Sequence, residues 1–188
     1  MKRNVRNLIV LLAALTLLTA LLPFVSFAEQ NKRYLSPGKE IAFTEGDALS
    51  QKAAELIEGK RTTEEKAMAI YSYIIENISY DYELYGKVTE KTINRYTPIP
   101  NDVLAKKTGI SIDMASLYAA MCRSVNIQTK LVKGHCEIIN GSHAWNEVYD
   151  ESVRKWIALD ITVDLFFQKG AATYWRPIGS GYESLSEV

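Results

Sequence analysis

The chain is short of the residues that most often mark a metal site. It has two cysteines and two histidines in 188 residues. Cys122, Cys136, His135 and His143 stand at spacings that match no zinc motif, so the sequence predicts no metal. An excess of either charge is also missing, with 22 Lys+Arg against 22 Asp+Glu. No basic block stands out, which argues against nucleic acid as a partner. No internal repeat occurs, and no low-complexity segment beyond the N-terminus, which excludes repeat arrays.

Long uncharged runs are scarce too; the one present is at the N-terminus. Lys2, Arg3 and Arg6 precede an uncharged, leucine-rich stretch, and Ser26-Phe27-Ala28 supplies small residues where a signal peptidase reads. Residues 1–28 are expected to be a signal peptide cleaved after Ala28, placing the protein outside the cytoplasm, secreted or at the cell surface. The alternative is a retained membrane anchor, since Leu8 to Ala28 is just long enough to span. Pro23 interrupts that run, and no cysteine follows it to carry a lipid. Removing 28 of 188 residues leaves 160, enough for one domain with a proper core. The basic count falls from 22 to 19 against 22 acidic residues, a formal charge of −3. Outside the cytoplasm Cys122 and Cys136 could form a disulfide, or be two small buried apolar residues. Asn77-Ile78-Ser79 and Asn140-Gly141-Ser142 match the glycosylation tripeptide, a match common by chance.

Residues 29–59 read as a lead-in and a first helix over 46–58, with Ala48, Leu49, Ala53, Leu56 and Ile57 at helical spacing and Gly59 as the stop. Residues 60–188 form the main domain. Thr62 and Glu65 make a capping-box pattern before a helix whose apolar stripe is Ala67, Ile70, Tyr71, Ile74, Ile75 and Ile78. Residues 79–100, rich in tyrosine and polar side chains, read as a long loop. A short helix follows over 101–107, then a stronger one over 111–124. Beyond Asn126 the period changes to that of strands over 127–133, 136–139, 143–149 and 155–160, with Asn140-Gly141 as a hairpin turn. Helices followed by an antiparallel meander predict an α+β fold.

A nucleophile in the first turn of a helix sits where backbone N–H groups and the helix dipole favour negative charge. A histidine on a neighbouring strand can serve as base, and an aspartate one strand further can hold its tautomer. Ser111, His143 and Asp160 come in that order. His143 and Asp160 fall on consecutive strands, as cross-strand neighbours would. Singly, each has a plainer reading: Ser111 as a helix N-cap, His143 as a half-buried strand residue, Asp160 as a strand-end turn residue. His135 reads as a surface residue.

Three stretches carry a resemblance: Gly109-Ile110-Ser111-Ile112-Asp113-Met114-Ala115, Ser142-His143-Ala144-Trp145-Asn146-Glu147-Val148, and Trp156-Ile157-Ala158-Leu159-Asp160. Together with Glu65-Lys66-Ala67, Ile78-Ser79-Tyr80-Asp81 and Asp102-Val103-Leu104, they resemble the transglutaminase-like family over roughly residues 60 to 165. The resemblance implies a papain-like α+β domain with helices packed on an antiparallel sheet, and no cofactor. It places His143 and Asp160 at the family's catalytic histidine and aspartate, with Trp145 and Trp156 as core residues beside them. The family pattern reads Gly-x-Cys-x-Asp-x-Ala, and here Ser111 holds the cysteine position. Ile161 stands where proline is frequent. Two functions follow as expectations. One is a non-catalytic module binding a peptide, protein or cell-wall polymer, with tyrosines of residues 80–97 along the groove. The other is a hydrolase or acyltransferase using Ser111, His143 and Asp160, with Ser111 depending on concerted base catalysis because its hydroxyl does not ionise as a thiol does.

Overall fold

Asp47 starts the first helix. Its Oδ1 accepts from the Ser50 N–H at 2.8 Å and caps α1 (Ala48–Leu56). Gly59 then takes the left-handed conformation at φ 74°, which suits glycine. Thr62 and Glu65 form the reciprocal capping box, Glu65 N–H to Thr62 Oγ1 at 3.1 Å and Thr62 N–H to Glu65 Oε2 at 3.0 Å. They open α2 (Thr63–Asn77), which buries Ala67, Ile70, Tyr71 and Ile74. A computed structural model describes residues 32–93, 95–137, 139, 141–167 and 182–188. The chain divides into units 1–34 and 35–188, and every element from Ala48 onward belongs to the second. The leader and Asn140 lie outside the described residues. Among those described, no helix is long and apolar enough to cross a membrane.

The segment 79–100 departs from the single loop expected of it. It contains β1 (Ser79–Tyr80) and α3 (Tyr82–Thr89), capped by Asp81 Oδ1 on the Leu84 N–H at 2.8 Å. Next come α4 (Pro100–Lys106), with proline in its first turn, and β2 (Thr108–Gly109), which pairs in parallel with β1. The central helix, α5 (Ser111–Ser124), is buried on all sides from Asp113 to Arg123. It is surrounded by α1, α2 and α4 on one side and the main sheet on the other, as a helix apolar all round requires.

That sheet is antiparallel, in the order β5-β4-β3-β6, from β3 (Thr129–Cys136), β4 (Gly141–Asp150), β5 (Lys155–Leu159) and β6 (Tyr182–Glu187). Leu131, Ala144, Val148 and Leu159 send their side chains into the core shared with α5. Asn146 lies between Ala144 and Val148 on the same face. Its side-chain amide donates to the carbonyls of Ala115 on α5 at 2.9 Å and Lys130 on β3 at 3.0 Å, tying helix to sheet. A short helix, α6 (Ile161–Phe167), follows β5 directly. Helices packed on an antiparallel sheet make the α+β class.

Candidate active site

Ser111 is the first helical residue of α5, and Ile110 is the N-cap. Ser111 is therefore not the capping residue its type suggests. The cap function falls to Asp113, whose Oδ2 accepts from the Ile110 N–H at 2.9 Å. A Cβ at position 109 would meet Asp113 Cβ at 2.6 Å, so glycine is required there for Asp113 to fold back. The Gly-x-Ser-x-Asp spacing thus has a packing cause. Tyr96 donates its hydroxyl to the other oxygen of Asp113 at 2.7 Å. Burial raises the pKa of Asp113, opposed by these two hydrogen bonds.

His143 alternates onto the face of β4 that also carries Trp145, whose ring stacks on it at 6.3 Å between centroids. Its Nε2–H donates to Asp160 Oδ2 at 2.7 Å, and both groups are buried. Its Nδ1 is buried and has no hydrogen-bond partner among the described residues. With Nε2 bound to the carboxylate, the neutral ring exposes an acceptor lone pair at Nδ1.

Asp160 is not a residue of β5; it lies one past its end. Leu159 pairs with Asn146. Extending that register sets Asp160 opposite Trp145 and makes His143 its diagonal neighbour rather than its direct partner. Asp160 also caps α6, its Oδ1 accepting from the Val163 N–H at 3.0 Å. One carboxylate oxygen holds a helix and the other holds the imidazole. Ile161 is then the first residue of α6, a place where proline fits equally well, and it is buried.

Two partners of this pair carry no sequence signal. Tyr182, on β6, donates its hydroxyl to Asp160 Oδ2 at 2.9 Å. Burial and the Asp160 charge push its pKa well up, so it remains a donor. Its ring meets Trp145 edge-on at 5.2 Å. Tyr71, on α2, donates to the Asp160 carbonyl at 3.2 Å and to the Asp164 carboxylate. Trp156 departs from its expected core place. It is half-buried, with its ring 5.3 Å from Tyr149 and the Lys130 ammonium over it at 4.4 Å.

Ser111 and His143 line one cavity of about 370 Å³. Tyr85, Val88, Ile110, Ile112, Ala144 and Leu185 give it an apolar wall, and Lys133 at its edge is paired with Glu40 at 2.8 Å. Tyr85 belongs to a ring cluster with Tyr80, Tyr82 and Phe166, in which Tyr80 lies 4.9–6.0 Å from the other three. Tyr96 faces a different cavity, of about 390 Å³. Cys122 and Cys136 are both buried free thiols, not a disulfide.

A family model for the transglutaminase-like superfamily matches residues 50–161. No curated protein matches the chain. Among solved structures, the chain is similar to a candidate cysteine protease from Cytophaga hutchinsonii at 20% identity and TM-score 0.62, over 85% of this chain and 47% of that one. It is similar to the periplasmic domain of TgpA from Pseudomonas aeruginosa, bound to ethylmercury, at 16% identity and TM-score 0.56, over 76% and 51%. Calcium-bound LapG from Legionella pneumophila follows at 12% identity and TM-score 0.54, over 85% and 82%. The chain spans about half the length of the first two. At these identities the likeness establishes the fold.

Proposed function

Because the chain belongs to the transglutaminase-like superfamily, we propose that Ser111 holds the family's thiol position and that the Ser111 cavity binds a peptide or protein segment without turning it over. The observation that carries this reading is Ser111 itself, set at the first turn of α5 and facing an apolar cavity of about 370 Å³. The helix N-terminus lowers a thiol's pKa but does not ionise a hydroxyl. No other thiol serves as nucleophile in this cavity. Cys122 is fully buried on α5, and burial pushes its thiol up to about 12. Cys136 is not among the lining residues. The apolar wall and the neutralised Lys133 suit an uncharged, apolar segment.

One observation favours a second reading. His143 keeps its Asp160 partner and a buried Nδ1 unpartnered among the described residues. With Ser111 on the same cavity, His143 Nδ1 would take the hydroxyl proton as Ser111 Oγ attacks an acyl carbon. The first-turn amides of α5 would face the developing oxyanion. Collapse of the adduct would break the acyl C–N bond, with His143 returning the proton to the departing amine, and leave an acyl-serine that water or a second amine resolves. A fluorophosphonate probe separates the readings. The binding reading expects no labelling of the wild type and a Ser111→Cys variant that gains an alkylatable thiol, slowed when His143→Ala is added. Stoichiometric phosphonylation of Ser111 would overturn it in favour of the serine enzyme.

The leader supports an extracytoplasmic location, as does the likeness to a periplasmic domain. N-terminal sequencing of exported material should begin at Glu29, and an intact Met1 in the membrane fraction would show an anchor instead.

A further inference from the structure

Cys136 ends β3 in register with Gly141, and Gly134 is in register with His143. The Cys136 thiol is therefore diagonal to the His143 ring on one face of the sheet. One ligand atom from each of Cys136, His143 and Asp160 lies within 4.8 Å of the other two, and all three residues are buried. We propose that this cluster is a zinc-type metal site, holding a divalent cation through Cys136 Sγ, His143 Nε2 and an Asp160 carboxylate oxygen.

The donor set is one zinc favours, and three protein ligands leave a fourth position open. Metal–ligand bonds of about 2.0–2.3 Å set tetrahedral neighbours roughly 3.5 Å apart. The His143–Asp160 contact of 2.7 Å would open to roughly 3.5 Å, and the sulfur, within 4.8 Å of both, would close by up to about 1.3 Å. Charge balances inside the fold. A divalent cation with one thiolate and one carboxylate is neutral, which removes the cost of burying an isolated charge. Protons balance as well. The thiol proton leaves to solvent, and the His143 proton passes from Nε2 to Nδ1, which has no partner among the described residues. One proton is released per ion bound. The second shell is already built, since Asp160 is fixed by the Val163 N–H and by the Tyr182 hydroxyl. Linear spacing, which predicts no metal, does not reveal this cluster because its members are joined by the sheet and by the turn after β5.

A ligated His143 is no longer a base, so the metal-bound form belongs with binding rather than acyl transfer. The inference does not rest on the reading of Ser111, and failure of one leaves the other standing. The test is titration of the full mature chain with cobalt(II). We expect one equivalent per chain, a thiolate-to-cobalt charge-transfer band displaced by zinc, and one proton released in weak buffer. Cys136→Ser should abolish the band and weaken binding at least about tenfold, Tyr182→Phe should keep the band with about tenfold weaker binding, and Cys122→Ser should change nothing. A wild type without the band, or a band that survives Cys136→Ser, overturns the proposal. Zinc X-ray absorption on the Cys122→Ser variant needs no change at the site. One sulfur at about 2.3 Å supports the proposal, and a shell of nitrogen and oxygen alone overturns it.

Discussion

Asp113 shows how one residue serves both the fold and the site. Its carboxylate caps α5 just before Ser111, and it does so while buried. Its pKa is raised from the usual 3.8 by burial. An acid raised in the folded state binds more protons folded than unfolded. Its contribution to stability is thus whole below 3.8 and is lost as pH rises through the folded value. Asp113→Asn keeps an acceptor for the Ile110 N–H and removes the charge. Melting curves from about pH 3 to 7 should show the variant gaining on the wild type as pH rises. A difference constant with pH would show that burial of the Asp113 charge is not what costs stability. At this scale the sequence was informative about Ser111, His143 and Asp160, because a local motif surrounds each. It was silent on Tyr182, whose hydroxyl and ring reach the site across from β6.

The elements hold a sharper test in their glycines. Gly134, on β3, has no room for a side chain. A Cβ there would collide with the Glu183 carbonyl and come within 2.7 Å of the Trp145 ring. Gly134→Ala should therefore lose about 1–3 kcal/mol and loosen β6, read by chemical denaturation and by exchange of the β6 amides. Gly86 is the control. It lies inside α3 with nothing within 4 Å of its would-be Cβ. Gly86→Ala should be stabilising by up to about 1 kcal/mol. If both substitutions cost the same, the close β3–β6 approach is not what Gly134 serves. The α2 stripe was legible because its apolar residues recur at helical spacing and face the core. The α3 helix was not, because it is only eight residues long, carries Gly86 in its middle and buries none of its residues.

Arg123 acts at the scale of the whole molecule. Its guanidinium, buried at the end of α5, donates to Thr129 O at 2.8 Å, Ser36 O at 2.7 Å and Val188 O at 2.8 Å. It fastens the start of the unit, the start of β3 and the end of β6 to one helix. Arg123→Lys keeps the charge but cannot make this planar three-way contact. We expect a loss of about 2–3 kcal/mol and faster exchange at Leu131 and Val188, which bond each other's backbones at 2.9–3.0 Å. Loss of stability without faster exchange at those two amides would argue that Arg123 acts locally.

The sequence by itself determined the α+β class, the helix starts at Thr62 and Ser111, and the change to strands after Asn126, since capping chemistry and apolar period are local. It also marked Ser111, His143 and Asp160. The tertiary structure decided the rest: that Asp160 sits at the head of α6 as a diagonal partner, that Tyr182 and Asn146 hold the site, and that Cys136 lies beside the His143–Asp160 pair. These depend on strand register and on chain segments far apart in sequence, and hydrogen bonds formed across such distances leave no periodic or capping signature.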